Sequence, residues 1–129
     1  MPSLKQEFDA AIAQLTAPGA PYELETGSAG ERHYRHAPAN LVEALAVGRE
    51  HGEREFLVYE DERRSFAQLF AEADSIAAAL QVEGIEKGDR VAIAMRNYPE
   101  WMTAYLAIVM IGAVVVPVNS WGQPADIAR

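Results

Sequence analysis

The residues in this chain that could do chemistry are few. His33 and His36 stand three apart, a spacing at which two imidazoles on one helical turn can share a metal ion. They fall in a Pro- and Gly-containing stretch without a carboxylate or cysteine set beside them, so they read as solvated histidines. Asp61-Glu62 and the Glu7/Asp9 pair could be paired carboxylates for general acid–base work. The first reads as a turn tip and the second as the wet face of a helix. Cysteine is absent, which excludes a disulfide framework and a thiolate metal site. No run of the form G-x-x-x-x-G-K-[ST] or G-x-G-x-x-G occurs to cradle a phosphate. The sequence therefore assigns no catalytic, cofactor-binding or metal-ligating residue. Met95, Met102 and Met110 read as core filler.

One candidate site follows from chain organisation. Val91–Met95 and Val114–Val118 are short apolar runs, read as parallel strands joined by a helix. Ligands of open parallel sheets bind outside the carboxyl ends of the strands. The loops that leave those ends hold Arg96, Asn97 and Tyr98, then Asn119, Ser120 and Trp121. They are the candidate pocket wall; structural roles, with Asn97 as a helix cap and Trp121 as packing, are the competing reading.

The elements that would position that wall are legible. Ser65 and Gln68 form a capping box, in which each side chain takes the other residue's free backbone N–H. Phe66, Leu69, Phe70, Ala73, Ile76, Ala77 and Leu80 then recur at spacings of three and four, an amphipathic helix. Gly84 ends it in the left-handed conformation, with Ile85 folding back on Leu80. Glu86-Lys87-Gly88-Asp89 makes a turn around Gly88. Asn97-Tyr98-Pro99-Glu100 enters a second helix, apolar from Trp101 to Ile111 except at Thr103, closed by Gly112. Val114-Val115-Val116-Pro117 reads as a strand buried on both faces. No charge occurs from Trp101 to Ala125, but Gly112 and Pro117 break the run, so a central helix and strand are preferred to a membrane span. The fold class is α/β: a partly parallel sheet built from a β-α-β-α-β unit flanked by helices.

The first half carries less. Ser3 and Gln6 offer a capping box ahead of the stripe Leu4, Phe8, Ala11, Ile12 and Leu15. Thr16 to Pro38 holds three prolines and three glycines without an apolar period and reads as a long surface connection. Asn40 with Glu43 starts a helix from Leu41 to His51, stopped by Gly52. Phe56–Tyr59 and Arg63–Phe66 flank a tight hairpin turn. The expected organisation is an N-terminal helix and connection over 1–38 and an α/β subdomain over 39–129.

With those motifs in place the chain resembles the adenylate-forming superfamily of acyl-CoA synthetases, aryl-CoA ligases, luciferases and peptide-synthetase adenylation domains. Arg64-Ser65-Phe66-Ala67-Gln68-Leu69 is similar to that family's L-[ST]-Y-x-E-L, with Arg for Leu, Phe for Tyr and Gln for Glu. Ile108 to Asn119 is similar to L-K-A-G-x-x-x-V-P-[LIV]-[ND] at Gly112, Pro117 and Asn119, and Asn119 favours the CoA-ligase branch. Gly88-Asp89-Arg90-Val91 and Asn97-Tyr98-Pro99-Glu100-Trp101 match between them. The resemblance is strong from Phe56 to Asn119 and looser from Leu41 to Glu55. It implies the N-terminal subdomain of an acyl-CoA synthetase that joins a carboxylic acid to CoA through an acyl-adenylate, using ATP and magnesium. The family's phosphate loop, magnesium carboxylates and lid lysine are missing from these 129 residues. The expectation is then a truncated piece, inactive alone and holding no cofactor itself. The start of a carrier-protein-loading adenylation domain, or a non-catalytic binding module with the same fold, are the alternatives. An encoded phosphate loop beyond Arg129 would mean a ligase, and a stop codon there a module.

Composition agrees. The formal charge of −8, with 19 acidic against 11 basic residues, argues against a nucleic-acid surface. The N-terminus shows no signal peptide, so a cytoplasmic residence is expected. A valine-rich strand left uncovered is a template for pairing, so self-association as a two-fold dimer is expected.

Overall fold

The computed structural model describes residues 2–119. The chain divides after Ala39 into two compact units.

The first unit opens with α1 (Leu4–Leu15), whose box is complete: the Ser3 N–H donates to Gln6 Oε1 at 2.8 Å and the Gln6 N–H to Ser3 Oγ at 3.3 Å. The stretch after it is not a bare connection. β1 (Leu24–Thr26) and β2 (Arg32–Tyr34) pair antiparallel as a hairpin. Their three-residue strands show no apolar alternation because side-chain polar groups hold them. Glu23, 8% exposed, takes the Gly19 N–H at 2.9 Å and the Arg35 guanidinium at 2.7 Å. The Gly19 N–H and then Arg35 hold its carboxyl below the ordinary range.

The second unit carries the candidate site. Leu41–His51 is not one helix: α2 (Leu41–Ala46) tightens into a 3-10 turn over Val47–His51. β3 (Glu55–Tyr59) and β4 (Glu62–Ser65) form an antiparallel hairpin with Glu60 and Asp61 at its tip, one residue earlier than the sequence reading. β4 runs directly into α3 (Phe66–Val82). The Gln68 N–H reaches Ser65 Oγ at 3.2 Å and the Ser65 N–H reaches Gln68 Oε1 at 2.9 Å. At the far end Gly84 takes φ +87° and the Ile85 N–H donates back to the Leu80 carbonyl. β5 (Arg90–Ile93), α4 (Pro99–Met110) and β6 (Val114–Pro117) follow.

β5 and β6 pair in parallel, Arg90 opposite Val114 through Ile93 opposite Pro117. The turn at Gly88 is bonded to the glycine that ends α4: the Gly88 N–H donates to Gly112 O at 3.0 Å and the Val114 N–H to Asp89 O at 2.7 Å. Among the described residues the sheets are three separate two-stranded pairs. The first strand of the β-α-β-α-β unit therefore pairs within its hairpin rather than joining β5 and β6. The expectation of β6 buried on both faces is also corrected: Val114 is 48% exposed, and Ala92 on β5 faces solvent as well. A charge-free, β-branched strand signals burial in a wider sheet, and here one neighbour covers one edge.

The core lies where α3 crosses α4. Leu69, Phe70, Ala73 and Ala77 meet Leu106 and Ala107, the alanines admitting close approach of the two helices. Ile93, Ile108 and Ala113 form a second buried cluster under the parallel pair. No helix among the described residues is long and apolar enough to cross a membrane.

Candidate functional site

The carboxyl end of β5 leads into a cavity of about 430 Å³ between the β3–β4 hairpin and the first turn of α4. The chain leaves β5 through Arg96, whose carbonyl takes the Tyr98 N–H at 2.7 Å. Tyr98, not Asn97, is the N-cap residue of α4; it makes no side-chain cap, and Pro99 fills the first helical position. Asn97 and Tyr98 both line the cavity, and Tyr59 from the hairpin lines it with them. The Tyr59 and Tyr98 rings stand perpendicular with centroids 5.8 Å apart. Trp101, stacked on Tyr105 at 5.6 Å, and Met102 complete the apolar side.

A network of charges fixes these walls. Arg64, mostly buried, reaches Glu72 of α3 at 2.8 Å, Glu100 of α4 at 2.9 Å and Glu62 of β4 at 3.4 Å. Thr103, 2% exposed, places its hydroxyl 3.4 Å from both Glu72 Oε2 and the Pro99 carbonyl. One cation thus ties hairpin, α3 and the start of α4 together, and three carboxylates surround it. The Glu100 carboxyl is held below its ordinary range by its own backbone N–H and then by Arg64. Burial pushes the Tyr59 hydroxyl up, and the neighbouring Glu60, Tyr98, Glu62 and Glu100 push it further.

The other sequence candidates separate. Asn119 follows β6 at the same end of the parallel pair, yet neither it nor Arg96 lines the described cavity. Ser120 and Trp121 lie outside the described residues. His33 sits on β2 with Nε2 2.9 Å from Glu25, and His36 Nε2 is 3.9 Å from Glu23, so both have carboxylate neighbours that the sequence reading did not give them. No group of three or more His, Cys, Asp or Glu among the described residues converges as a metal site. Asp61 lies at the hairpin tip and Glu62 is spent on Arg64. Glu7 and Asp9 lie exposed on α1. Met102 packs against the α3–α4 core and lines the cavity as well. Tyr59 and Trp101 were missed as walls, because only the fold brings the hairpin to the end of β5. Gly84, Gly88, Gly112 and Pro117 shape turns and register away from the cavity. The arrangement offers apolar and aromatic walls with one side-chain amide, and among its described lining residues there is no nucleophile–base pair.

A second hollow of about 790 Å³ lies between α2 and the α4–β6 corner, with Leu41, Val42, Lys87 and Val114 among its walls.

The model of a family described as "AMP-binding enzyme" matches residues 45–129. Acyl-CoA ligase sidI of Aspergillus fumigatus is 31% identical over 119 residues, covering 90% of this chain and 20% of that protein. The long-chain-fatty-acid–CoA ligase FadD13 of Mycobacterium tuberculosis is 42% identical over 60 residues, covering 46% and 12%. The N-terminal subdomain of Klebsiella oxytoca NpsA, solved with anthranilyl-AMSN, superimposes with a TM-score of 0.61 at 32% identity, covering 64% of this chain and 22% of that one. The chain thus spans a fifth or less of the length of these two curated relatives.

Proposed function

The chain belongs to the AMP-binding enzyme family, and from that membership we propose that it forms the N-terminal α/β part of an AMP-forming acyl-CoA ligase. The whole enzyme would activate a carboxylic acid with ATP, release pyrophosphate, and transfer the acyl group from AMP to the CoA thiol. The observation that carries this reading is the family match across 45–129, over the same α3–β5–α4–β6 framework that bears the sequence motifs. The relatives include both CoA ligases and an adenylation subdomain. Asn119, the polar residue that ends the second family motif, supports the CoA acceptor.

The described residues do not fit magnesium or nucleotide phosphates: no His, Cys, Asp or Glu group among them is placed to hold a metal ion, the three carboxylates that converge being spent on Arg64, and no glycine run forms a phosphate cradle. No step is assigned to them. This part supplies scaffold and a cavity wall through Asn97 and Tyr98. The 129-residue chain alone is expected to be inactive. Acid-dependent pyrophosphate exchange and acyl-CoA formation, measured on this chain and on the complete product of its gene, test the proposal. Exchange by the longer product and none by the chain alone is expected. Acid-dependent exchange by the 129-residue chain, or no activity from the longer product with fatty, aryl or short-chain acids, would overturn it.

The exposed Val114 and the two-stranded β5–β6 pair, with outer edges unpaired among the described residues, support self-association of the 129-residue chain as a dimer. A monomer in sedimentation at micromolar concentration would refute it.

A further inference from the structure

Met102 is a wall of two cavities at once. On one side it completes the cavity of about 430 Å³ at the end of β5. On the other it lines a smaller one of about 180 Å³, with Leu45, Phe56, Phe66, Leu69, Phe70 and Leu106. Both strand and helix pass from one cavity to the other in step. On β3 the inner cavity takes Phe56, and the outer one takes Leu57, Val58 and Tyr59. On α4 the inner cavity takes Tyr105 and Leu106, the outer one Pro99 and Trp101, and Met102 belongs to both. The two hollows are successive stretches of one slot between β3 and α4, and Met102 is the partition.

The lining decides what fills such a slot. None of the described residues that line either cavity is charged. Around the outer cavity stand charges of both signs, Arg63, Arg64 and Arg96 with Glu60, Glu62 and Glu100, so selection falls to the walls themselves. A charged group buried between these walls would lose its hydration without a partner. Uncharged polar side chains gather in the outer cavity, as the Asn97 amide and the Tyr59 and Tyr98 hydroxyls. The inner cavity has only the Tyr105 hydroxyl, and an apolar cavity so poor in partners for water is open to an apolar guest. Methionine is unbranched and has three rotatable bonds, so this partition can move with little strain.

We propose that this slot binds an unbranched alkyl chain with one uncharged polar end, and that Met102 swings aside to admit the tip of a longer chain to the inner cavity. The polar end stays in the outer cavity, where Asn97 offers it a donor and an acceptor. The outer volume of about 430 Å³ falls in the ordinary range of small-ligand pockets. A compact ligand fills the outer cavity and stops at Met102, whereas a thin chain passes it. The proposal stands on the two cavities and not on the ligase reading, so direct binding to the chain tests it separately.

The test titrates 1-hexanol, 1-decanol and the compact 1-adamantanol into the 129-residue chain and follows its methyl groups by NMR. Hexanol and adamantanol are expected to shift Leu57 and Val58 alone, and decanol to shift Leu45 and Leu106 as well. Each further buried methylene strengthens binding about threefold to fourfold, so decanol should bind about tenfold or more tighter than hexanol. Ala44 lines the inner cavity from an exposed position on α2. Ala44→Leu should fill that space and weaken decanol about tenfold while leaving hexanol unchanged. Met102→Ile keeps the bulk of the partition but stiffens it by β-branching, so decanol should no longer reach Leu45 and Leu106. Decanol that leaves those two methyl sets unshifted in the wild-type chain, or reaches them equally in Met102→Ile, would overturn the proposal. So would adamantanol reaching them, decanol affinity unchanged by Ala44→Leu, or no saturable binding of either linear alcohol by a folded chain.

Discussion

Replacing Ser65 by aspartate separates two things that this residue does. As an N-cap, aspartate is as good as serine, and its charge suits the positive end of α3, so capping alone predicts a neutral or slightly stabilising change. The structure adds a second partner. Ser65 is 8% exposed, and its hydroxyl donates to Glu53 Oε2 at 3.2 Å while accepting the Gln68 N–H. Aspartate cannot donate and would set a second carboxylate against Glu53. The dipole returns about 0.5 kcal/mol at such a helix end. The lost hydroxyl bond costs about 1 kcal/mol. Repulsion from the solvated Glu53 adds a further cost of up to about 1 kcal/mol. The expected net loss for Ser65→Asp is about 1 kcal/mol, and Ser65→Ala, which loses both the cap and the bond to Glu53, should lose about 2 kcal/mol. Glu53→Gln supplies an amide donor, so it should recover about 1 kcal/mol in the aspartate background and little in the serine one. Urea melts of the four proteins of this cycle, with Ser65→Ala alongside, measure it. Each kcal/mol would move the thermal midpoint by roughly 4–8 °C in a domain of this size. Wild-type stability for Ser65→Asp, with no response to Glu53→Gln, would show that Glu53 plays no part at this cap.

Gly48→Ala should destabilise by about 1–3 kcal/mol, because the new Cβ would lie 2.9 Å from Phe70 Cε2. That ring is pinned by the Arg49 guanidinium 4.5 Å from its centroid, and a melt checks the result. Arg49 also lowers the Asp74 pKa through a hydrogen bond, so the stability from this pair is complete above the unfolded-state pKa near 4. It is lost as pH falls through the lower folded-state value. Asp74→Asn should therefore lower stability at neutral pH and flatten the acid limb of stability against pH; parallel limbs would refute the sign. Arg64→Lys should cost about 1 kcal/mol, since one ammonium cannot reproduce the fork that serves Glu62, Glu72 and Glu100. A sharper Tyr98 backbone exchange signal in that variant would locate the loss at the start of α4.

What the sequence revealed followed from how local its signals were. α3 was legible at both ends because each signal is local: Ser65 and Gln68 bond each other three residues apart, and beyond Gly84 the Ile85 N–H reaches back to Leu80. The parallel pair was legible from two apolar runs flanking a helix. The β1–β2 hairpin was not, because its strands are short and polar and are held by Glu23 and Arg35, twelve positions apart. Only a small part of the candidate site was readable, for the same reason. Asn97 and Tyr98 follow β5 directly, whereas Tyr59 reaches them only when the hairpin packs beside α4. The valines of β6 announced a buried strand but could not announce how many neighbours would bury it.

The two ends of the β5–α4–β6 unit are clasped separately. Gly88 and Asp89 bond to Gly112 and Val114 where the strands begin, and the Val118 N–H donates to the Ile93 carbonyl where they finish. Each clasp closes the same short crossover, so once one forms, the second costs little additional chain entropy. Parallel pairing is normally slow to assemble because its partners are far apart in sequence. Here the helix between them brings the strands into register as it docks on its own crossover. Amide exchange should accordingly fall together at Val114 and Val118 as one cooperative opening, rather than fraying from either end.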